Sequence, residues 1–440
     1  MKIERDINQK LSEWKNSDLR QPLILQGARQ IGKTWAVTEF GQNNFKHIAV
    51  FNFDRQQKLH EVFRQSKDVR YLLRELAFYT DVPLVAGETL IFFDEIQECS
   101  DALNSLKYFD EDAPEFHIIA AGSLLGVALN HKGQGFPVGK VQFMQMHPIT
   151  FREYLRAADS KLYNNVDKLT KGLKEPLPTA VFDQLSEYYK TFQLCGGMPR
   201  ATSAMIDGKG VLAVENILQD TLLAYSGDFG KHIENKDIPR LNDIWKSIPS
   251  QLSRENNKFI FKAVRTGARA REYESALDWL ALSGMIYKVS LTETPALPMT
   301  FYEDISAFKV YLLDIALLRT LAHLPKEVIV SAPEMYREFK GAMAENYVLC
   351  SLVAQGFETP HYWTLQGNKA EVDFLVTDKL SIIPIEVKSD TRISGKSFAV
   401  YNEKYKPELR IRLSMLNSKQ DGNLLNLPIF LCDWLREILG

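Results

Sequence analysis

The chain has 440 residues, enough for about two to four compact domains, and its 45% hydrophobic and 25% charged content is that of an ordinary globular protein. The net charge of −2 excludes a uniformly basic nucleic-acid coat, so any nucleic-acid contact has to come from a local patch. The charged opening "MKIERDINQKLSEWKNSD" lacks the apolar stretch of a signal peptide, and "FHIIAAGSLLGVALNH" falls short of the roughly 18 apolar residues of a span, so a cytoplasmic chain without membrane association is expected.

In chain order, "PLILQ", "HIAVFNF", "TLIFFD", "FHIIAAG" and "VQFMQM" read as strands of a parallel sheet, with amphipathic helices between them, over residues 1–155. Such strands are apolar on both faces and end in polar residues at the carboxyl edge, where ligands bind in open α/β sheets. From "PITFREYLRAA" the strand signals fade, and residues 156–236 read as helical, broken by "KGLKEPLP" and "CGGMP". Residues 237–300 suggest three short helices running into strands, a winged-helix-like module. The final section, 301–440, holds a helix, "GAMAENYVLCSLVAQGF", and two strand-like runs, "AEVDFLVT" and "LSIIPIEVKS". Cys99, Cys195, Cys350 and Cys432 form no Cys-x-x-Cys or paired-His spacing and read as reduced, buried thiols.

"GARQIGKT", between a strand and a helix, matches the Walker A spacing in full. Gly27 and Gly32 permit backbone torsions that turn successive N–H groups toward phosphate oxygens, and the loop residues Ala28, Arg29, Gln30 and Ile31 with Trp35 complete the cradle. Lys33 is expected to hold the β- and γ-phosphates of ATP, and Thr34 to ligate Mg²⁺. "LIFFDEIQ" ends a strand in Asp94 and Glu95. Asp94 is the candidate second Mg²⁺ contact, and Glu95 the residue that polarises the attacking water. Ser123, closing the strand "IIAAGS", can sense the γ-phosphate or simply make a turn.

"LILQGARQIGKTW", "LIFFDEIQ", "AAGSLL", "HPITFREYL", "GGMPRA", "FKVYLLDIALL", "GAMAENYV" and "EVDFLV…PIEVKS", in this order, resemble a bacterial and archaeal AAA-like ATPase family. That family carries the C-terminal domain of unknown function 4143 and is related to the signalling ATPases with numerous domains. The resemblance implies an α/β fold with a P-loop core of five parallel strands and a helical lid that includes "GGMP". It usually places Gly-Arg where this chain has Gly139-Lys140, and Lys lacks the planar fork of Arg.

A second constellation lies near the C-terminus. Asp373 sits in one strand-like run and Glu386-Val387-Lys388 in the next, with Glu386 and Lys388 on one face. With Glu345 on the preceding helix, Asp373 and Glu386 could share a divalent ion while Lys388 orients water. This pattern resembles that of restriction-type PD-(D/E)XK nucleases, which implies a restriction-nuclease-like α/β domain over 301–440. Lys262, Arg265, Arg269 and Arg271 cluster about the start of a helix, where they could meet phosphates or line a solvated face. "GGMPR" reads either as a helix stop or as a lid element bringing Arg200 to the nucleotide.

The expectation is an ATP-binding, ATP-hydrolysing protein that controls a nuclease-like domain acting on or binding DNA, with DNA ahead of RNA as the nucleic-acid partner. The alternative is a signalling or scaffold ATPase whose C-terminal modules bind a protein partner and cut nothing. Oligomerisation is open under both readings.

Overall fold

The computed structural model describes residues 2–123, 139–173, 175–232, 237–254, 258–331, 337–358, 360–365, 367, 369–390 and 395–440. Leu124 and Leu125 of "AAGSLL", and Lys174 of "KGLKEPLP", lie outside the described residues. The chain divides into two compact units, one of Glu4–His147 with Leu282–Gly284, the other containing Pro148–Ala281 and Met285–Gly440.

The first unit is built on five parallel strands, β1 (Leu23–Gln26), β2 (His47–Asn52), β3 (Thr89–Asp94), β4 (His117–Ala121) and β5 (Gln142–Gln145), in the order β2-β3-β4-β1-β5. Every one of the five expected strands is present to within two residues at either end. β3 and β4 are buried along their whole length, because helices cover both faces of the sheet. Phe51, Phe53, Phe63, Phe93 and Phe109 pack edge to face beneath it, with ring centroids 5.5 to 6.1 Å apart. The register pairs Asn52 with Asp94 and Asp94 with Ala121, so the polar strand ends fall on one edge. β4 lies between β3 and β1, and this places the segment after β4 beside the loop that follows β1.

The second unit opens with helices. "PITFREYL" starts the helix Phe151–Ala158 with a capping box, in which Thr150 and Glu153 satisfy each other's backbone N–H groups. Gly196 ends the helix Thr179–Cys195 with φ of 61°, and Pro199 begins the helix Pro199–Ile206 at its first turn. The helices Ile238–Leu252, Phe261–Val264 and Ala270–Leu282 then lead into the hairpin β6 (Ile286–Thr292) and β7 (Glu303–Leu312).

That hairpin is not a free wing. β6 pairs in parallel with β8 (His361–Thr364), so the hairpin joins β9 (Glu371–Asp378), β10 (Ser381–Val387), β11 (Arg410–Ser414), β12 (Lys419–Asp421) and β13 (Leu424–Pro428). Together they form one mixed eight-stranded sheet, ordered β12-β13-β11-β10-β9-β8-β6-β7. The segments read from the sequence as lid, winged-helix-like module and C-terminal domain therefore cluster as one unit. All four cysteines are free, three of them buried. Among the described residues no helix is long and apolar enough to cross a membrane.

Candidate nucleotide site and C-terminal charge cluster

The loop after β1 has the torsions that a phosphate cradle needs. Gly27, Gln30 and Gly32 have φ of 145°, 61° and 94°, and Gly32 is the N-cap of the helix Lys33–Asn44. A Cβ on Gly27 would lie 2.4 Å from the carbonyl oxygen of Met146, so only glycine fits there. Buried Arg5 ties the loop down from outside, donating to the carbonyls of Ile31 at 3.1 Å and His147 at 2.6 Å.

The side chains that the sequence singled out converge on this loop. Lys33 is buried and donates from Nζ to the carbonyls of Gly27 and Ala28, each at 2.8 Å, and to Ser123 Oγ at 3.2 Å. Burial lowers its pKa to about 8 against the opposing pull of Glu95 and Asp94. Thr34 Oγ1 donates to Asp94, 3.1 Å from Oδ1. Burial, and then the neighbouring Glu95, raise the Asp94 pKa. Glu95 has a left-handed backbone, with φ of 52°, and its Oε2 accepts from Gln97 Nε2 at 2.6 Å. Trp35 is exposed, as is Thr34 on the same turn, whereas Ala28 and Ile31 are buried.

Two residues of this site were not anticipated. Asn52, at the end of β2, donates Nδ2 to Asp94 Oδ2 at 3.0 Å, and Gln97 orients the Glu95 carboxylate. A polar residue ending an apolar strand was the available signal for Asn52. Lys140, where Gly-Arg is usual, is engaged by Asp110 at 3.4 Å and Glu111 at 3.3 Å, on the helix Ser100–Asp112.

In the second unit, Glu386 Oε2 accepts from Arg412 Nε on β11 at 2.8 Å, and Glu386 Oε1 lies 3.3 Å from Lys388. Asp373 Oδ2 accepts the Val387 N–H at 2.7 Å. Burial, and then Glu345, push the Asp373 pKa up to about 7. Burial alone would lower the Lys388 pKa, but Asp373 and Glu386 more than offset it and the net shift is upward. Tyr311 donates to Glu345 Oε2 at 2.8 Å. Lys309, on β7, lies 2.5 Å from Glu371 and 3.7 Å from Glu345 with its side chain fully buried. Lys309 and Tyr311, in "FKVYLLDIALL", Glu371, in "EVDFLV", and Arg412, outside any quoted motif, are thus members of this cluster to which the sequence assigned no role. Among the described residues, no group of three or more His, Cys, Asp or Glu side chains is placed to hold a metal ion.

The remaining candidates belong to the second unit. Lys262, Arg265 and Arg269 precede the helix Ala270–Leu282 and Arg271 lies in its first turn, all four exposed, as are Glu274 and Asp278 further along the helix. Arg200 is exposed in the first turn of the helix Pro199–Ile206.

The sheet, the loop and the carboxylate at the end of β3 define a P-loop ATPase domain of α/β class. Residues 19–155 match the model of an AAA domain, residues 186–328 that of a domain of unknown function (DUF8612), and residues 340–430 that of another (DUF4143). AAA P-loop domains in general bind and hydrolyse ATP and typically use Mg²⁺. No curated protein matches the chain. Among solved structures, it is similar to the Walker-type ATPase PABY2304 of Pyrococcus abyssi, with 15% identity over 73% of this chain and 96% of that one, at a TM-score of 0.47. It is also similar to the Aeropyrum pernix ORC1 protein in complex with DNA, with 10% identity over 74% and 92% of the two chains, at a TM-score of 0.26. A third similarity, to the Thermotoga maritima RuvB Holliday junction branch migration motor, has 13% identity over 67% and 90%, at a TM-score of 0.26.

Proposed function

We propose that this protein is an ATP-hydrolysing switch that binds DNA through its second unit and does not cut it. The observation that carries the hydrolytic part is the convergence of Lys33, Thr34, Asp94 and Ser123 on one loop. The residues fit ATP and Mg²⁺: the loop is shaped for phosphate, Gly27 leaves no room for a side chain, and Thr34 sits against a buried carboxylate. Thr34 and Asp94 are the residues that would hold Mg²⁺, which supplies charge neutralisation across the phosphates.

Lys33 exchanges the carbonyls of Gly27 and Ala28 for phosphate oxygens, and the loop amides and the N-terminus of the helix Lys33–Asn44 add to the same anion site. Glu95 orients the attacking water and accepts its proton, with Gln97 fixing the carboxylate. Ser123, already on Lys33, registers the terminal phosphate.

The DNA part rests on Lys262, Arg265, Arg269 and Arg271, four exposed basic residues within ten positions, the local cluster that phosphate contacts require. The non-cleaving part rests on Glu386, whose two carboxylate oxygens are engaged by Lys388 and Arg412. The test measures ATP hydrolysis and the binding of labelled duplex DNA by anisotropy, with and without ATP and over a salt series. Arg265→Ala with Arg269→Ala should weaken binding and reduce the salt slope by about 1 to 2, at roughly 0.9 for each phosphate that an arginine had neutralised. Unchanged DNA binding in that variant would discard the DNA assignment, and Mg²⁺-dependent cutting that Lys388→Ala abolishes would restore the nuclease reading.

A further inference from the structure

The spacing of Glu345, Asp373 and Glu386 points to a shared divalent ion, but their surroundings do not fit one. A Mg²⁺-sized ion needs near-octahedral oxygen ligands at about 2.0–2.1 Å, with ligand oxygens free to turn toward it. Here Glu386 is turned to Arg412 and Lys388, and Asp373 Oδ2 holds the Val387 N–H. The remaining carboxylates face an ammonium instead. Lys309 Nζ lies 2.5 Å from Glu371 Oε1 and 3.7 Å from Glu345 Oε2, and 5.1 Å from the centre of the Tyr362 ring. Asp373 is within its electrostatic reach.

The placement of Lys309 follows from topology. β7 is the edge strand that comes in with the hairpin, and Phe308, Val310, Tyr311 and Leu312 around Lys309 are buried with it. A fully buried ammonium persists only when paired, and Glu371 and Glu345 supply the pairing. The charges balance as well. Glu345, Glu371 and Glu386 give three negative charges against three positive charges from Lys309, Lys388 and Arg412, with Asp373 left as the one additional acid.

We infer that Lys309 is the resident cation of this carboxylate cluster, standing where a divalent ion would otherwise sit and excluding one. The charge of the cluster is then set by protein side chains alone, independent of Mg²⁺ supply. Removing the ammonium takes the shared cation away from Glu345, Glu371 and Asp373 and creates a divalent-ion site.

The test is Mn²⁺ binding to the full chain without nucleotide, followed by electron paramagnetic resonance, in an Asp94→Asn background that removes the carboxylate set against Thr34. The parent should bind no Mn²⁺ at sub-millimolar concentration. Lys309→Met should gain one site, with at least a tenfold rise in affinity that Asp373→Asn reverses. Stoichiometric Mn²⁺ binding by the parent, lost on Asp373→Asn, overturns the inference, as does a folded Lys309→Met protein that binds none. The parent measurement stands if Lys309→Met folds poorly. In that case Lys309→Gln, a polar replacement that can still donate to Glu371, supplies the second reading. Neither outcome depends on whether the partner is DNA.

Discussion

Asp314 Oδ2 accepts the N–H of Gly197 at 2.6 Å while its Oδ1 accepts that of Leu317 at 2.8 Å, so one buried carboxylate joins "GGMPR" to "LLDIALL" across 117 residues. It caps the helix Ile315–Leu321 and holds the turn that ends the helix Thr179–Cys195. The turn has no room for a side chain. A Cβ on Gly196 would lie 2.5 Å from Asp314 Oδ1, and one on Gly197 would lie 2.1 Å from the Ile149 carbonyl oxygen. The glycines of this motif therefore act first as packing and capping residues.

Asp314→Asn should be destabilising by about 1–3 kcal/mol, because the amide group has a donor facing an N–H where a second acceptor is needed. Gly196→Ala should cost as much or more, since it adds a left-handed alanine to a steric clash. Urea unfolding followed by tryptophan fluorescence measures both. An unchanged midpoint for Gly196→Ala would show that the turn relaxes freely.

Glu95→Gln should bind ATP as tightly as the parent and lose roughly 10² to 10⁴ in turnover, the usual range for a positioned acid or base. Gln97→Ala should show a smaller loss in turnover with no change in nucleotide affinity, because the Gln97 amide donates to Glu95 and Glu98. Phosphate release and a fluorescent nucleotide titration separate the two effects. Equal losses of binding and turnover in Glu95→Gln would remove it from the hydrolytic role.

Gly27→Ala should abolish nucleotide binding, since the new methyl group meets the Met146 carbonyl at 2.4 Å and the backbone has φ of 145°. Asn52→Ala should act differently. It removes one of the donors to Asp94 and should raise the Mg²⁺ concentration needed for half-maximal hydrolysis several-fold, with nucleotide affinity in the absence of metal unchanged. A Mg²⁺ titration of the steady-state rate reads this out.

Asp433 is buried and accepts the Arg152 N–H at 3.0 Å, and burial pushes its pKa up to about 6 against an ordinary carboxylate value near 4. Between these values the folded chain holds a proton that the unfolded chain has released. The stabilising contribution is therefore full below about pH 4 and is lost as pH rises through about 6, at up to roughly 1.4 kcal/mol per pH unit. Asp433→Asn should flatten this part of the stability profile between about pH 4 and 6. Unfolding midpoints at several pH values, compared for parent and variant, show whether it does.

The five strands of the ATPase core were legible because a buried parallel strand leaves a short, continuous apolar run bounded by polar turns. Much of the candidate nucleotide site was legible too, since Gly27 to Thr34 lie within a single loop, and Asp94-Glu95 end a strand of the same kind. Of the mixed sheet, β9 and β10 were legible as strands, and their neighbours were not. β8, β11 and β13 are short and locally unremarkable, and the strands read after the three short helices carry no sign that β6 and β7 extend this sheet.

By itself, then, the sequence determined what local geometry controls: a glycine-rich loop between strand and helix, and an acidic pair at a strand end. The tertiary structure decided which distant groups meet them. Insertion of β4 between β3 and β1 brings Ser123 to Lys33 across 90 positions, and the Asn52–Asp94 register sets an amide on the carboxylate. Lys309 reaches Glu371 across 62 positions only because β7 joins the C-terminal sheet. A strand's pattern records which face is buried, and it holds no record of which charge will be buried opposite it.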